Sequence, residues 1–255
     1  MQRNYTIKWL INKFEEGHTL KFIYFWGNTN KLNDAIDKSC LSQWFESSFM
    51  IGGIIYKTAE HWMMAQKALL FNDKVIFDEI IACQKPAQAK ELGRKVIGYD
   101  EQTWNDHKVK IIKAGNIHKF NQNTGLANYL INTADRILVE ASPVDTIWGI
   151  GLSQNDDDIT NIYAWRGENL LGFALMEVRD FLKGFGQFKP LDSAMLSPWV
   201  QYQGIDAKDM FWRMGKGEDY LLKFIRYYDA LSERDKTIYQ LLNPAPYNWA
   251  DFYNG

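Results

Sequence analysis

Cysteine, proline, charge of one sign and long apolar runs are all scarce in this chain. Its 255 residues include 2 Cys and 6 Pro, and its formal net charge is -2. Two cysteines form no disulfide framework and lack the spacing of a zinc site, which fits a reducing compartment. A near-neutral charge without a long basic run lacks the signature of a dedicated duplex-binding protein. No segment approaches the roughly 18 apolar residues that a membrane-spanning helix needs.

The N-terminal segment lacks a secretory signal, because Lys8 and Lys13 interrupt its first apolar residues. These absences together predict a cytoplasmic protein. Aromatic residues, in contrast, are abundant and make up 15% of the chain. Aromatic side chains mostly pack cores, but their faces also hold flat rings such as nucleobases.

The pattern of apolar residues and turn formers predicts an α+β fold that is predominantly helical, with a few short strands. Strands are predicted at 20–26 and 136–142, and a hairpin or bend at 49–57. Helices are predicted at 59–72, 86–96, 104–120, 125–133, 169–184, 217–229 and 232–242. The glycines and prolines of 184–198 are typical of a linker. We therefore expect a main domain at 1–184 and a helical, aromatic C-terminal extension at 185–255 that packs on it.

Two charges interrupt the apolar helix predicted at 59–72. Glu60 and Lys67 lie two turns apart on one face, in a stripe otherwise made of Met63, Met64 and Phe71. About 10 Å of helix rise separates the two charges, which is too far for a comfortable mutual salt bridge. One interpretation is that both side chains extend to the rim of a buried helix. The other is that they line a pocket, where burial suits them to acid–base or Schiff-base chemistry.

The loop at 142–151 presents an acid and a large aromatic residue after the second predicted strand. Asp145 lies where catalytic acids are often found, in a loop at a strand end. Trp148 is suited to stacking on a base or a sugar. The alternative interpretation is that Asp145 caps a turn and Trp148 packs in the core.

Cations and amides on later helices are candidates for binding phosphate or polar groups. Lys90 and Arg94 lie four residues apart on one helix, although such pairs usually form a solvated face. The segment 119–123 places Lys119 and three amides at a helix end. Trp104 is either a second stacking wall or a staple at a helix start. The histidines lack a second ligand at zinc spacing, so we predict no metal site.

Taken in order, these segments resemble the NADAR (YbiA-like) family over roughly residues 20–184. The matching blocks are 25–27, 41–44, 56–68, 89–94, 119–123, 138–151 and 169–172. Gln43 stands where many members of the family have Asn, and no proline follows Trp44, so the entrance loop departs from the family's pattern. The segment 212–220 resembles an extension carried by some of these proteins.

The resemblance implies a hydrolase that cleaves the N-glycosidic bond between ribose and a base without a cofactor. The substrates it implies first are ribosylamino-pyrimidine phosphate intermediates of riboflavin biosynthesis, whose removal pre-empts reactive breakdown products. One alternative is the removal of ADP-ribose from guanine in nucleic acid. The other is a non-catalytic module that binds ADP-ribose or an NAD derivative. The expected partners are therefore a small ribosyl-phosphate or ADP-ribosyl ligand, or ADP-ribosylated nucleic acid, and no membrane; the oligomeric state is left open.

The resemblance also suggests roles for the candidate residues. Cleavage of an N-glycosidic bond passes through an oxocarbenium-like state, which needs a carboxylate near the reacting carbon. The predicted catalytic residues are Glu60, Lys67 and Asp145. The assignment of acid and base, and imine formation by Lys67, are left open. The predicted substrate-binding residues are Trp104, Trp148, Lys90, Arg94, Lys119, Asn121 and Gly149. The aromatic tail of the extension is either buried on the main domain or an interface.

Overall fold

Helices form most of the computed structural model, which describes residues 4–29 and 36–254. The first elements along the chain are α1 (Ile7–Glu15), β1 (Phe22–Phe25), β2 (Phe49–Ile51), β3 (Ile54–Tyr56), α2 (Ala59–Leu70), α3 (Lys74–Ala82) and α4 (Pro86–Gly93). There follow α5 (Glu101–Gln122), α6 (Thr124–Asn132), β4 (Ile137–Glu140), α7 (Leu170–Phe185), α8 (Pro198–Gln201), α9 (Gly215–Asp229) and α10 (Glu233–Leu242). Single 3-10 turns lie at Lys38–Leu41, Ile162–Ala164, Met210–Arg213, Tyr247–Trp249 and Phe252–Asn254. The predicted α+β, mostly helical fold class is confirmed.

The chain divides into two compact units. The first comprises the described residues up to Met50 together with Ile55–Gln187, and the second comprises Ile51–Ile54 and the described residues from Phe188 onward. Along the chain the boundary follows Gln187, whereas the sequence placed it after residue 184. Among the described residues, no helix combines the length and apolar character needed to cross a bilayer.

The first unit contains a short parallel sheet of β1 and β4. Its register pairs Phe22 with Ile137 and, at the other end, Phe25 with Glu140. The carboxyl ends of parallel strands meet at one edge, so the chain segments that follow Phe25 and Glu140 begin side by side. The hydrogen bond from Ala141 N to Phe25 O, at 2.9 Å, continues this pairing past the strand ends.

Asn169 joins β4 to the start of α7. Its Nδ2 donates to Leu138 O at 2.9 Å, and its Oδ1 accepts from Glu140 N at 3.0 Å. The residue is fully buried and has a φ of 52°, a left-handed conformation that Asn tolerates better than most residues. Helix α7 also approaches the strand closely, because a Cβ at Gly172 would lie 2.0 Å from Leu138 O. The end of β4 is therefore held rigidly.

Helix α2 is buried along most of its length and packs against α3, α4 and α5. It begins after Thr58, whose Oγ1 accepts a hydrogen bond from His61 N at 3.3 Å. Its neighbours approach closely at two glycines. A Cβ at Gly93 would lie 2.1 Å from Met64 Sδ, and one at Gly115 would lie 2.3 Å from the Trp62 ring. Small residues at these contacts let α4 and α5 pack tightly on α2.

Most of the predicted elements are present with boundaries shifted by a few residues, but the sequence analysis did not predict α1, α3 and the short helix α8. In the turn before α3 it placed only the end of α2, at residue 72. In the structure the Asp73 carboxylate accepts a hydrogen bond from Ile76 N at 3.1 Å, so the same turn caps the next helix. Helix α4 ends at Gly93 rather than at residue 96.

Aromatic side chains form the core of the second unit. The ring of Trp249 lies 5.4 Å from that of Trp199 and 5.0 Å from that of Trp212. Phe224 is fully buried, and Tyr239 donates its hydroxyl hydrogen to Met195 O at 2.6 Å. The aromatic tail thus packs with helices of its own unit.

Replacing Asn169 by Ala is expected to lower the free energy of unfolding by about 2 to 4 kcal/mol. The change removes two hydrogen bonds and leaves a buried N–H and C=O on β4 without partners. Urea denaturation of Asn169→Ala beside the wild type measures the difference. The control is Asn155→Ala at an exposed loop position, which we expect to stay within about 0.5 kcal/mol of the wild type. Equal stability of Asn169→Ala and the control would show that the hydrogen bonds of Asn169 do not stabilise the end of β4.

Candidate active site

A cavity of about 190 Å³ in the first unit collects side chains from α2, α4, α5 and the segments that follow the first 3-10 turn and β4. Its walls are formed by Ser42, Gln43, Trp44, Glu60, Met63, Met64, Lys67, Lys90, Gly93, Arg94, Trp104, Glu140, Asp145 and Trp148. Of the ten predicted site residues, the structure brings together Glu60, Lys67, Lys90, Arg94, Trp104, Asp145 and Trp148. Glu60 and Asp145, which are 85 positions apart in the sequence, thus line the same cavity.

Glu60 lies in the first turn of α2 and is 3% exposed. Its backbone N–H donates to Gln43 O at 3.0 Å, which ties the helix start to the segment carrying Trp44. Its Oε1 atom is buried and makes no hydrogen bond within the described residues. Burial raises the pKa of Glu60 to about 7, against the opposing effects of the Lys90 charge and a Trp44 hydrogen bond. A large fraction of Glu60 therefore carries a proton near neutral pH.

Glu140 is a second acid at the cavity, a half-buried residue with a buried carboxyl oxygen, and the sequence analysis did not select it as a site residue. It is the last residue of β4, and its Oε2 atom is buried without a hydrogen-bond partner among the described residues. Burial, followed by the negative charges of Asp145 and Glu60, raises the pKa of Glu140 to about 8. The available signal was an acid at the end of an otherwise apolar strand, immediately before the loop that was selected.

Asp145 caps a turn and also lines the cavity, so the two interpretations of this loop are compatible. Its Oδ1 accepts hydrogen bonds from Ile147 N at 2.9 Å and Trp148 N at 2.8 Å, so it does cap a turn. It also lines the cavity together with Trp148. The turn sets the position of both side chains in the loop.

Lys67 contacts backbone and rings. Its Nζ donates to Gly93 O at 2.9 Å and lies 4.2 Å from the centre of the Tyr99 ring and 5.7 Å from that of Trp104. Burial lowers the pKa of Lys67. Its amine is therefore held at the cavity wall by a carbonyl and two aromatic faces.

Further cations lie beside the tryptophans of the cavity. Lys90 Nζ is 5.9 Å from the centre of the Trp44 ring, and Lys108 Nζ is 6.0 Å from that of Trp148. Arg94, which follows α4, is exposed at the rim. The cavity thus has aromatic walls and a cationic side formed by α4.

The other three predicted binding residues are not among those that line the cavity. Lys119 is fully buried and donates to Ser42 O at 2.7 Å, and burial lowers the pKa of its ammonium group to about 7. Asn121 is buried, and its carbonyl accepts from Gln187 Nε2 at 3.2 Å. Gly149 packs so closely that a Cβ would lie 2.7 Å from Glu140 O. Packing against backbone, which the sequence pattern does not show, accounts for these positions.

The remaining cavity residues that the sequence analysis did not select come from the 42–44 segment, from the apolar face of α2 and, as Gly93, from the end of α4. Gln43 Nε2 donates to Asn116 Oδ1 at 3.2 Å, which links this segment to α5. Within residues 4–29 and 36–254, no group of three or more His, Cys, Asp or Glu side chains is arranged to hold a metal ion.

Comparison with known proteins gives consistent matches for the first unit. The family model of the NADAR domain matches residues 24–183. The chain is similar to N-glycosidase R617 of Acanthamoeba polyphaga mimivirus, with 40% identity over 168 residues that cover 64% of this chain and 96% of that protein. It is 30% identical to a riboflavin biosynthesis protein of Vibrio vulnificus over 167 residues, which are 64% of this chain and 42% of that one. The NMR structure of YbiA from E. coli superposes with a TM-score of 0.53 at 25% identity, covering 68% of this chain and 92% of YbiA.

Replacing Glu60 by Gln is expected to stabilise the protein at pH 8 and to have much less effect at pH 5. The folded state keeps the Glu60 proton up to about pH 7, whereas the usual pKa is 4.5. The wild type therefore loses free energy of unfolding as the pH rises through this window, and the Gln variant, which keeps only the contribution of Glu140, loses less. The shift corresponds to a difference on the order of 2 to 3 kcal/mol.

Urea unfolding of both proteins at pH 5 and pH 8 measures this difference. Glu91→Gln, at an exposed position on α4, serves as the matched control and should follow the wild type at both pH values. A Glu60→Gln variant whose stability also follows the wild type at both pH values would show that Glu60 is not buried as described.

Proposed function

This chain belongs to the NADAR family and is an N-glycosidase, and we propose that it cleaves the bond between ribose C1′ and the amine of a ribosylamino-pyrimidine phosphate. The observation that carries this proposal is the cavity itself, which combines buried carboxyl groups with a partly desolvated lysine and tryptophan rings. Each of these groups meets one requirement of the reaction.

Glu60 and Asp145 act on the reacting carbon in this proposal. Breaking the C1′–N bond leaves positive charge on C1′ and the ring oxygen, which a nearby carboxylate stabilises most strongly where water is excluded. The attacking water must also lose a proton, and either carboxylate is a suitable base. Glu60 belongs to a helix and Asp145 to a capped turn, so both are held on ordered backbone.

Lys67 contacts the sugar in this proposal. Burial lowers the pKa of Lys67 and so enlarges the fraction of neutral amine, which is the form that attacks an aldehyde. If the ribose ring opens in the cavity, its aldehydic C1′ becomes a target for this amine. An ordinary hydrogen bond to a ribose hydroxyl is the simpler contact, and borohydride trapping distinguishes the two because only an imine is reduced to a stable adduct.

The cavity walls are suited to the two ends of such a substrate. Trp104 and Trp148 offer faces for the pyrimidine ring, and Lys90 and Arg94 place positive charge at the rim for the phosphate. Lys119, Asn121 and Gly149 support these residues from behind in our proposal. The small cavity and the Vibrio relative, which is named a riboflavin biosynthesis protein, both favour a small pyrimidine substrate over an ADP-ribosylated nucleic acid.

Purified protein is expected to release ribose 5-phosphate from a ribosylamino-pyrimidine phosphate, and Glu60→Gln or Asp145→Asn should each lower kcat by about 100- to 10,000-fold. The released sugar phosphate is measured enzymatically, and circular dichroism checks the fold of each variant. Asp157→Asn, at an exposed loop position, is the matched control and should keep the activity. Unchanged turnover in both cavity variants would contradict the assigned roles.

A parallel assay with an ADP-ribosylated guanine oligonucleotide tests the substrate class. Faster release of ADP-ribose than of ribose 5-phosphate would replace the pyrimidine proposal with the nucleic-acid alternative. Calorimetric binding of ADP-ribose without product from either substrate would instead identify a binding module.

A further inference from the structure

We propose that Glu140 is the general acid that protonates the departing amine, so that the cavity uses three carboxyl groups rather than two. This inference rests on the proposed N-glycosidase function and adds a role that Glu60 and Asp145 leave unfilled. Those two residues stabilise C1′ and accept the proton of water, whereas the leaving nitrogen needs a donor.

The position of Glu140 is fixed by backbone contacts on both sides. Asn169 Oδ1 accepts its N–H at 3.0 Å, and its carbonyl oxygen accepts from Ile150 N at 3.0 Å. Parallel pairing with Phe25 holds the same residue in register. A carboxyl group on such an ordered strand end is well placed for proton transfer, because catalytic groups need supporting contacts that fix their geometry.

One carboxyl oxygen of Glu140 has no hydrogen-bond partner within the described residues. Glu140 lines the cavity, and its Oε2 atom is buried and unpaired there. A buried polar atom without a hydrogen-bond partner lowers the stability of the folded protein. A carboxyl group kept at such a cost, and facing the same cavity as Glu60 and Asp145, is available to a ligand.

The charges around Glu140 favour its protonated form. Asp145 from the following loop and Glu60 from α2 add negative charge when they are ionised, and Lys90 from α4 is the opposing positive group. Burial and the two acids together raise the pKa of Glu140 to about 8, so this carboxyl group holds its proton at neutral pH and can donate it. An environment that keeps one acid of a site protonated is how enzymes obtain a proton donor from a carboxyl group.

The proposed step balances in atoms and electrons. The C1′–N bond breaks, its electron pair passes to the nitrogen, and the nitrogen takes the proton of Glu140. Water adds its oxygen to C1′ and gives a proton to Glu60 or Asp145. That proton then returns to Glu140, directly or through solvent, after the products ribose 5-phosphate and the aminopyrimidine leave. No oxidant, reductant or further reactant is needed.

Substrates whose leaving groups differ in their need for a proton show whether Glu140 is a catalytic acid or has only a structural role. Wild type and Glu140→Gln are compared on a ribosylamino-pyrimidine phosphate and on 4-nitrophenyl riboside 5-phosphate, whose nitrophenolate departs without a proton. We expect kcat of the variant to fall about 100- to 10,000-fold on the amine substrate and only a few-fold on the nitrophenyl substrate. Equal losses on both substrates, or no loss on the amine, would overturn the proposal. Glu91→Gln is the control variant and should match the wild type.

The pH profile of the wild type gives a test that needs no variant to fold. A reaction that requires protonated Glu140 should lose kcat on the amine substrate as the pH rises through about 8. An amine reaction whose kcat stays constant from pH 7 to pH 9.5 would overturn the role of Glu140. A wild type that cleaves neither substrate would instead contradict the proposed function itself.

Discussion

The constraint on which the rest of this structure depends is the burial of acidic side chains around one cavity. Glu60 and Glu140 each have a buried carboxyl oxygen without a hydrogen-bond partner in the described part of the chain. Ionising them there is unfavourable, so their pKa values rise and the groups hold protons at a pH where surface acids have lost theirs. In our proposal, the same burial that weakens the fold keeps Glu140 protonated, so that it can donate to the leaving amine.

Two independent parts of the fold bring these acids together. Glu60 comes from the capped start of α2, which α3, α4 and α5 surround. Glu140 comes from the end of β4, where Asn169 holds the backbone and Gly172 lets α7 approach closely. Neither part alone forms a site. The proposed function therefore requires both the helical layer and the short parallel sheet of the first unit, while the second unit has an aromatic core of its own.

The sequence could predict the residues whose local pattern is unusual. Glu60 and Lys67 interrupt an apolar helix, and Asp145 lies in a turn-rich loop, so pattern and position both indicated them. Glu140 gave only a weak signal, because an acid at the end of an apolar strand is ordinary until the pairing with β1 and the close loop place it at the cavity. Lys119 shows the opposite case: a lysine at a helix end suggests ligand binding, but tertiary packing buries it against Ser42 O.

Carbon-13 NMR titration of the glutamate side chains tests the central claim most directly, since it reports the protonation of the buried acids without requiring a substrate. The Gln variants of Glu60 and Glu140 assign the two resonances. The account predicts two coupled resonances with apparent midpoints at about pH 7 and about pH 8, well above those of the surface glutamates. Titration of every glutamate below about pH 5.5 would contradict it, because both acids would then be ordinary, hydrated carboxylates.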